Sequence, residues 1–94
     1  MGKLDGKVCL ITGCASGLGK QEAIRFADEG AKLVICDVQD EKLEVTRQIC
    51  EERGAECTAV HCDMTKREDR ENFVQVAADK YGTIDVLVNN AHYT

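Results

Sequence analysis

A glycine-rich stretch near the start of the chain carries the most specific chemistry in this sequence. It reads Thr-Gly-Cys-Ala-Ser-Gly-Leu-Gly over residues 12–19, between an apolar run at residues 8–11 and an amphipathic segment that begins near Leu18. A strand, a glycine-rich turn and a helix start in this order present free backbone N–H groups to an anion. Glycine suits the turn because it adopts backbone conformations closed to other residues and lets a phosphate come close. The stretch therefore predicts a phosphate-binding loop.

An acidic residue, Asp37, stands at the end of the second strand-like run, where the ribose of a nucleotide would need a hydrogen-bond acceptor. Asp37 comes directly after the apolar run at residues 33–36, where its carboxylate can accept hydrogen bonds from both ribose hydroxyls of an adenosine. A 2′-phosphate at that position would meet like charge, which favours NAD over NADP. Aspartate is also common in turns, so a purely structural role for Asp37 is the alternative.

Six cysteines raise the question of thiol or metal chemistry. No Cys-x-x-Cys pair occurs, and the one candidate ligand cluster is Cys57, His61 and Cys62. On a strand, positions 57 and 61 share a face while position 62 points away, so the pattern predicts no metal site. It favours buried, reduced thiols in a cytoplasmic protein. Cys14 is the exception, because its place in the glycine-rich loop predicts an oxidisable thiol.

The elements that position these residues recur in a fixed order. A glycine placed to end a helix precedes each of three strand-like runs, at Gly30, Gly54 and Gly82. The helix-like segments between the runs have these residues on one face: Ala23, Ile24 and Ala27; Leu43, Thr46, Ile49 and Cys50; Phe73, Val76 and Ala77. The runs at 8–11, 33–36 and 86–88 do not alternate in polarity, as expected of strands covered on both faces. The order β-α-β-α-β-α-β predicts a parallel sheet, half of a doubly wound α/β fold.

Two helix starts are predicted from capping residues. Asp40 is placed to cap the second helix, and Thr65 with Glu68 forms a possible capping box for the third. Both patterns would satisfy backbone N–H groups that a helix start leaves without partners.

Length and charge exclude several classes of function. Ninety-four residues make one small domain, and no stretch approaches the ~20 apolar residues of a membrane span. The 12 basic and 17 acidic residues give a net charge of −5, with the basic ones scattered along the chain. This balance disfavours nucleic acid and anionic membranes as partners. The first seven residues lack the apolar region of a secretory signal.

Taken together, these residues give a chain that resembles the N-terminal half of a short-chain dehydrogenase/reductase. The pattern Thr-Gly-x-x-x-Gly-x-Gly at residues 12–19 is that family's dinucleotide fingerprint. Asp63 matches the family's acidic residue after the third strand, and Asn-Asn-Ala at residues 89–91 matches the start of its Asn-Asn-Ala-Gly motif. The resemblance covers essentially all 94 residues.

The resemblance implies a Rossmann-type doubly wound parallel sheet, shortened to about four strands in the order 3-2-1-4 with three helices. It implies that Ser16 and Leu18 contact the pyrophosphate, that Asp63 contacts the adenine amino group, and that Val38 and Met64 flank the adenine. The complete set of expected cofactor residues is Gly13, Ser16, Gly17, Leu18, Gly19, Asp37, Val38, Asp63, Met64, Asn90 and Ala91. Relatives that prefer NADP often have a basic residue in the loop, and neither this loop nor position 38 has one. NAD is therefore the expected cofactor.

The catalytic residues of this family do not occur among the 94 residues of the chain. The family's chemistry uses a Ser and a Tyr-x-x-x-Lys pair, but Ser16 is the only serine and belongs to the phosphate loop. Tyr81 is followed four residues later by Asp85, and Tyr93 is next to last. We therefore expect residues 1–94 to form one NAD(P)-binding domain without the family's C-terminal catalytic half, and we assign no catalytic residue. The parent reaction would be hydride transfer between NAD(H) and a secondary alcohol or ketone.

Four further points cannot be decided from the sequence. The alternative function is a non-enzymatic NAD-binding or regulatory module that pairs with full-length relatives. His92 stands where the family has Gly, and it is either a ligand or catalytic group or part of an altered tail. The fourth strand would be an apolar sheet edge that invites self-association. The sheet face covered by the third helix alone would expose apolar side chains.

Overall fold

Seven elements alternate along the chain in the computed structural model, which describes residues 2–90. The strands are β1 (Val8–Thr12), β2 (Lys32–Asp37), β3 (Cys57–His61) and β4 (Val86–Val88). The helices are α1 (Gly17–Asp28), α2 (Asp40–Glu52) and α3 (Arg67–Tyr81). All three strand pairs are parallel, and the order across the sheet is β3-β2-β1-β4. The α/β class, the strand order and the number of helices are confirmed.

Helices α1 and α2 cover one face of the sheet, and α3 covers the other. The first core contains Ala23, Leu43 and Cys50 of the helices with Cys9, Ile11, Leu33 and Ile35 of the strands. The second contains Phe73 and Ala77 of α3 with Val8, Leu10, Val34 and Cys36. Successive strand residues point to opposite faces, so β1 is buried along its whole length. Burial on both sides is the reason that its sequence does not alternate in polarity.

The sheet face under α3 is covered over β1 and β2 but not over β4. We expected apolar exposure on this face, and the four apolar residues that β1 and β2 place there are all buried. Phe73, which is 2% exposed, supplies a large ring that fills the space under the helix. Leu87 of β4 pairs with Leu10 and lies on the same face, and it is 61% exposed. The predicted apolar exposure of this face is therefore present at β4. Within residues 2–90, β4 pairs only with β1, and self-association through this edge stays a prediction.

The predicted helix ends are confirmed. Gly30, Gly54 and Gly82 follow the three helices and have φ angles of 88°, 91° and 74°. A helix that ends in this left-handed conformation turns sharply, which directs the chain back into the next strand.

The predicted helix starts are wrong. Asp40 is the first residue of α2, not its cap, because Gln39 holds the cap position. The capping box of α3 does not form either, since α3 begins at Arg67. The Thr65 hydroxyl donates instead to Asp63 Oδ1 at 2.6 Å. Lys66 and not Thr65 holds the cap position of α3, so the Thr65 hydroxyl is not placed to accept from the N–H groups of the helix.

The described residues contain no helix long and apolar enough to cross a membrane. Within the same residues, no group of three or more His, Cys, Asp or Glu side chains is placed to hold a metal ion. Cys57 and Cys62 are buried, whereas the side chain of His61 is 56% exposed.

Candidate functional site

The predicted site residues meet at one edge of the sheet, where the parallel strands end. Gly13 follows β1, Asp37 ends β2, Asp63 comes after β3 and Asn90 comes after β4. The strand order reverses between β1 and β4, and ligands of such sheets bind at the carboxyl ends of the strands beside that reversal. Ala91, like His92, lies outside the described residues.

The N-terminus of α1 is arranged to receive an anion. Ser16 is its cap residue, but within the described residues the Ser16 side chain makes no capping hydrogen bond. The first turn of α1 has no acidic residue, whereas α2 and α3 each begin with two, Asp40 and Glu41, and Glu68 and Asp69. Free N–H groups and the positive end of the helix dipole therefore favour a negatively charged ligand at α1.

Glycine is required at three positions of the loop for two different physical reasons. Gly13 and Gly17 have φ angles of 69° and 61°, a region that favours glycine. At Gly19 the reason is close packing, since a Cβ atom there would lie 2.1 Å from the carbonyl oxygen of Gly13. The start of α1 can lie against the end of β1 only because position 19 has no side chain.

Asp37 joins this loop to β2. Its Oδ2 accepts a hydrogen bond from the Ala15 N–H at 3.0 Å, and its Oδ1 accepts from Val38 N–H at 2.7 Å and Gln39 N–H at 3.1 Å. A carboxylate has about four acceptor positions, so this arrangement leaves room for one ribose hydroxyl rather than the two we expected. The contact of Asp37 with a ribose stays a prediction. The alternative, that Asp37 stabilises a turn, is also observed, because its Oδ1 accepts from the next two backbone N–H groups. Val38, beside it, is 50% exposed.

Asp63 is held in its ionised form after β3. Its Oδ1 accepts from the Thr65 hydroxyl at 2.6 Å and from the Thr65 N–H at 2.9 Å. These hydrogen bonds hold the pKa of Asp63 below its usual range. A carboxylate fixed in this way is suited to accept from the exocyclic amine of an adenine. Met64 is half-buried and packs against the core beneath α3.

Asn90 ties together the ends of β1 and β4. Its N–H donates to Thr12 Oγ1 at 2.9 Å, and its Nδ2 donates to the Thr12 carbonyl at 3.3 Å and to Glu22 Oε1 of α1 at 2.5 Å. The Thr12 hydroxyl donates to Asn89 Oδ1 at 3.0 Å. The set of cofactor residues predicted from the sequence omitted Thr12 and Glu22. The position of Thr12, a polar residue at the end of an apolar strand, could have indicated a role at this edge of the sheet.

The prediction for Cys14 is wrong. All six cysteines lie in the described residues and are free and buried, Cys14 with 0% exposure. Its Sγ donates to the Ile11 carbonyl at 3.2 Å, and burial raises the pKa of the thiol. Because the thiolate is the reactive form, Cys14 is an inert packing residue although it belongs to the loop.

His61 forms a charged contact beside the site. It pairs with Asp37 in the strand register, and its Nδ1 lies 2.6 Å from Asp40 Oδ1. Asp40 raises the pKa of His61 above its usual range, through this hydrogen bond and through its charge. The two side chains are 56% and 69% exposed.

We expect Asp40→Asn to lower the pKa of His61 toward the ordinary value of about 6.5. In the native protein the raised pKa gives stabilisation that is fully present below the unfolded-state pKa and is lost as pH rises through the folded-state pKa. Because solvent screens so exposed a pair, the measurement is an NMR titration of the imidazole signals, with His92 followed in the same spectra for reference. An unchanged pKa of His61 in the variant would contradict the contact.

Comparison with known proteins agrees with this geometry. The sequence profile of short chain dehydrogenases matches residues 7–94. The chain is 48% identical over 89 residues to a mitochondrial borneol dehydrogenase of Lavandula x intermedia, an alignment that covers 95% of this chain and 32% of that protein.

Solved structures give the same result. An NAD⁺-bound xylitol dehydrogenase superimposes with a TM-score of 0.92 at 37% identity, covering 97% of this chain and 35% of that one. A short chain dehydrogenase/reductase from Burkholderia phymatum in complex with NAD has a TM-score of 0.87 at 33% identity, covering 93% of this chain and 31% of that one. The chain spans about a third of the length of these relatives. Since the match includes the glycine-rich loop and all four strands, the chain belongs to the short chain dehydrogenase family.

Proposed function

We propose that this chain binds NAD at the carboxyl edge of its sheet, as the cofactor-binding part of an oxidoreductase. The observation that carries the proposal is the 3.0 Å hydrogen bond from Ala15 N–H to Asp37 Oδ2. It brings an anion-binding helix start and a carboxylate into one site. A dinucleotide needs both, because its pyrophosphate seeks N–H donors and its ribose hydroxyls seek an acceptor.

Each element contributes one part of the proposed site. The start of α1, with Ser16, Gly17 and Leu18, binds the pyrophosphate, and Gly13 and Gly19 allow it to come close. Asp37 binds the adenosine ribose. Asp63 accepts from the adenine amino group, Val38 and Met64 flank the ring, and Asn90 and Ala91 border the cofactor. When bound, the cofactor supplies the hydride chemistry, and these residues hold it in place.

The charges at this edge support NAD over NADP. A 2′-phosphate on the ribose would come next to the Asp37 carboxylate and would be repelled. The nearby imidazole of His61 has its Nδ1 2.6 Å from Asp40 Oδ1, so its charge is already paired with a carboxylate. Two similar structures were solved with NAD, which supports the same choice.

The reaction proposed for the whole protein is hydride transfer between NAD(H) and a secondary alcohol or ketone. The family's Tyr-x-x-x-Lys pattern does not occur in the 94 residues, so we assign them cofactor binding and not proton transfer. The similar proteins reported above are dehydrogenases or dehydrogenase/reductases, and they do not favour the alternative of a non-enzymatic regulatory module. Six free, buried thiols support a reducing compartment, and we propose the cytoplasm.

The test is a calorimetric titration of the purified chain with NADH and, separately, with NADPH. We expect saturable binding of NADH and binding of NADPH that is at least about tenfold weaker, equivalent to about 1.4 kcal/mol of charge repulsion. Equal affinities would overturn the preference for NAD while leaving dinucleotide binding intact. No binding of either nucleotide would overturn the proposed function of these residues.

A further inference from the structure

Thr46 is a buried polar side chain on the face of α2 that packs against the sheet. It is 0% exposed, and Thr12 is the other buried polar residue among residues 2–90. Its neighbours on this face of the helix, Leu43 and Cys50, belong to the apolar core. A hydroxyl in such surroundings is destabilising unless it is hydrogen-bonded, whereas valine would fill the same volume without that requirement. The hydrogen-bond partner of Thr46 therefore indicates its role.

The Thr46 hydroxyl donates out of its own helix to the glycine-rich loop. Its Oγ1 lies 2.8 Å from the carbonyl oxygen of Cys14. The carbonyl of Lys42, one turn earlier in α2, lies 3.3 Å away and is the local acceptor that a helical threonine commonly uses. A hydroxyl has one proton to donate, and the shorter distance assigns that proton to Cys14.

This hydrogen bond acts on the peptide unit that joins Cys14 to Ala15. The C=O of the unit accepts from Thr46, and its N–H donates to Asp37 Oδ2 at 3.0 Å. One residue earlier, the Cys14 N–H donates to the Cys36 carbonyl at 3.1 Å. Because a peptide unit is planar, holding both of its polar ends restricts its rotation. The N-terminus of α1 follows directly after it.

We propose that Thr46 is a positioning residue of the phosphate-binding loop. Its hydroxyl orients the peptide unit between Cys14 and Ala15, so that the N–H groups at the start of α1 face the pyrophosphate. The inference rests on the proposed cofactor function and extends it to α2, outside the glycine-rich motif. Thr46 lies behind the loop and acts through the Cys14 carbonyl.

The first test is hydrogen exchange of the cofactor-free chain followed by NMR. Thr46→Val keeps the side-chain volume and removes the hydroxyl, while Thr46→Ser keeps the hydroxyl. In Thr46→Val we expect the Ala15 amide to exchange about tenfold faster relative to the Leu10 amide of β1, because a local opening has become easier. In Thr46→Ser we expect the ratio of the Ala15 and Leu10 exchange rates to equal that of the native chain.

The second test measures ligand affinity by competition against NADH fluorescence. ADP-ribose carries a pyrophosphate and a second ribose that adenosine lacks, so the ratio of their affinities separates an effect at the loop from an effect on adenosine binding. We expect Thr46→Val to weaken ADP-ribose about fivefold, the effect of one lost hydrogen bond, with adenosine unchanged. Thr58→Val is the matched control, since the Thr58 hydroxyl on β3 accepts from Lys80 Nζ at 2.6 Å and is not connected to the loop.

The outcomes separate this inference from the proposed function. A native exchange ratio and a native affinity ratio in Thr46→Val would overturn the inference. Equal weakening of ADP-ribose and adenosine would also overturn it, since that pattern indicates general destabilisation. Faster exchange at Ala15 in a chain whose native form binds no NADH would support the positioning role and count against the proposed function.

Discussion

Asp37→Ala is expected to weaken NADH binding about 100-fold. Two contributions disappear together, the proposed hydrogen bond to the ribose and the acceptor that holds the Ala15 N–H at 3.0 Å. Hydrogen bonds to charged groups contribute about 1.5–3 kcal/mol each, and 1.4 kcal/mol corresponds to a factor of ten. The expected loss of NADH affinity is therefore larger than the loss from removing a carboxylate elsewhere on the surface. The measurement is the calorimetric titration with NADH described above.

Asp40→Asn is the matched control for this variant. It removes the same negative charge three residues later in the chain, from a side chain whose hydrogen-bond partner is His61 and not the loop. We expect the affinity of this control for NADH to stay within about twofold, because exposed charges are well screened. An equal loss in both variants would show that net charge, and not the position of Asp37, determines binding.

Asp37→Asn separates the two contributions of the carboxylate. The amide keeps one acceptor oxygen and the shape of the side chain but loses the charge. We expect a smaller loss of NADH affinity than in Asp37→Ala and a narrower gap between NADH and NADPH, since the repulsion of a 2′-phosphate is removed. A preference for NADH that survives unchanged in Asp37→Asn would contradict the electrostatic explanation.

Gly19→Ala is expected to abolish saturable NADH binding and to lower the free energy of unfolding by at least about 3 kcal/mol, the upper range for overpacking. The new Cβ would lie 2.1 Å from the Gly13 carbonyl oxygen and 3.1 Å from the Thr12 carbonyl oxygen, whereas real Cβ contacts essentially never fall below 3.0 Å. Both obstacles are backbone atoms, so α1 must move away from β1. That movement displaces the N–H groups of the phosphate-binding loop. Urea unfolding and NADH titration measure the two effects.

Gly54→Ala is the control that separates strain from crowding. Gly54 has a φ of 91°, and a Cβ added there would meet nothing within 4 Å. We expect a cost of about 1–2 kcal/mol from the left-handed backbone alone, with NADH affinity unchanged. If Gly19→Ala is no more destabilising than Gly54→Ala and still binds NADH, the close approach of α1 to β1 does not matter to the site.

Local patterns in the sequence were sufficient for the elements and their order. Gly30, Gly54 and Gly82 mark helix ends because a left-handed residue stops a helix whatever surrounds it. Phe73 and Ala77 were correctly placed on the buried face of the third helix, since positions four apart share a face. With parallel crossovers of one hand, these elements leave few possible sheets, and the family resemblance selected the one observed.

Local patterns failed where a side chain had a choice of partners. Thr65 has the spacing of a helix cap, yet Lys66 holds the cap position of α3 and the Thr65 hydroxyl donates to Asp63. Cys14 belongs to a loop with an exposed Ser16, yet its own side chain points into the core. Neither outcome is visible in spacing, because it depends on which atoms the fold brings within hydrogen-bond distance.

The sequence by itself determined the α/β class, because hydrophobic periodicity and glycine placement act over a few neighbouring residues. The resemblance of its motifs identified the family and, with it, most of the residues that lie at the carboxyl edge of the sheet. Only the tertiary structure decided how that edge is held together. The hydroxyl of Thr46 meets Cys14 from 32 residues away, and Asn90 meets Thr12 from 78 residues away. Contacts at such separations exist only after the sheet has formed, since the packing of distant segments decides which donors and acceptors are left to pair.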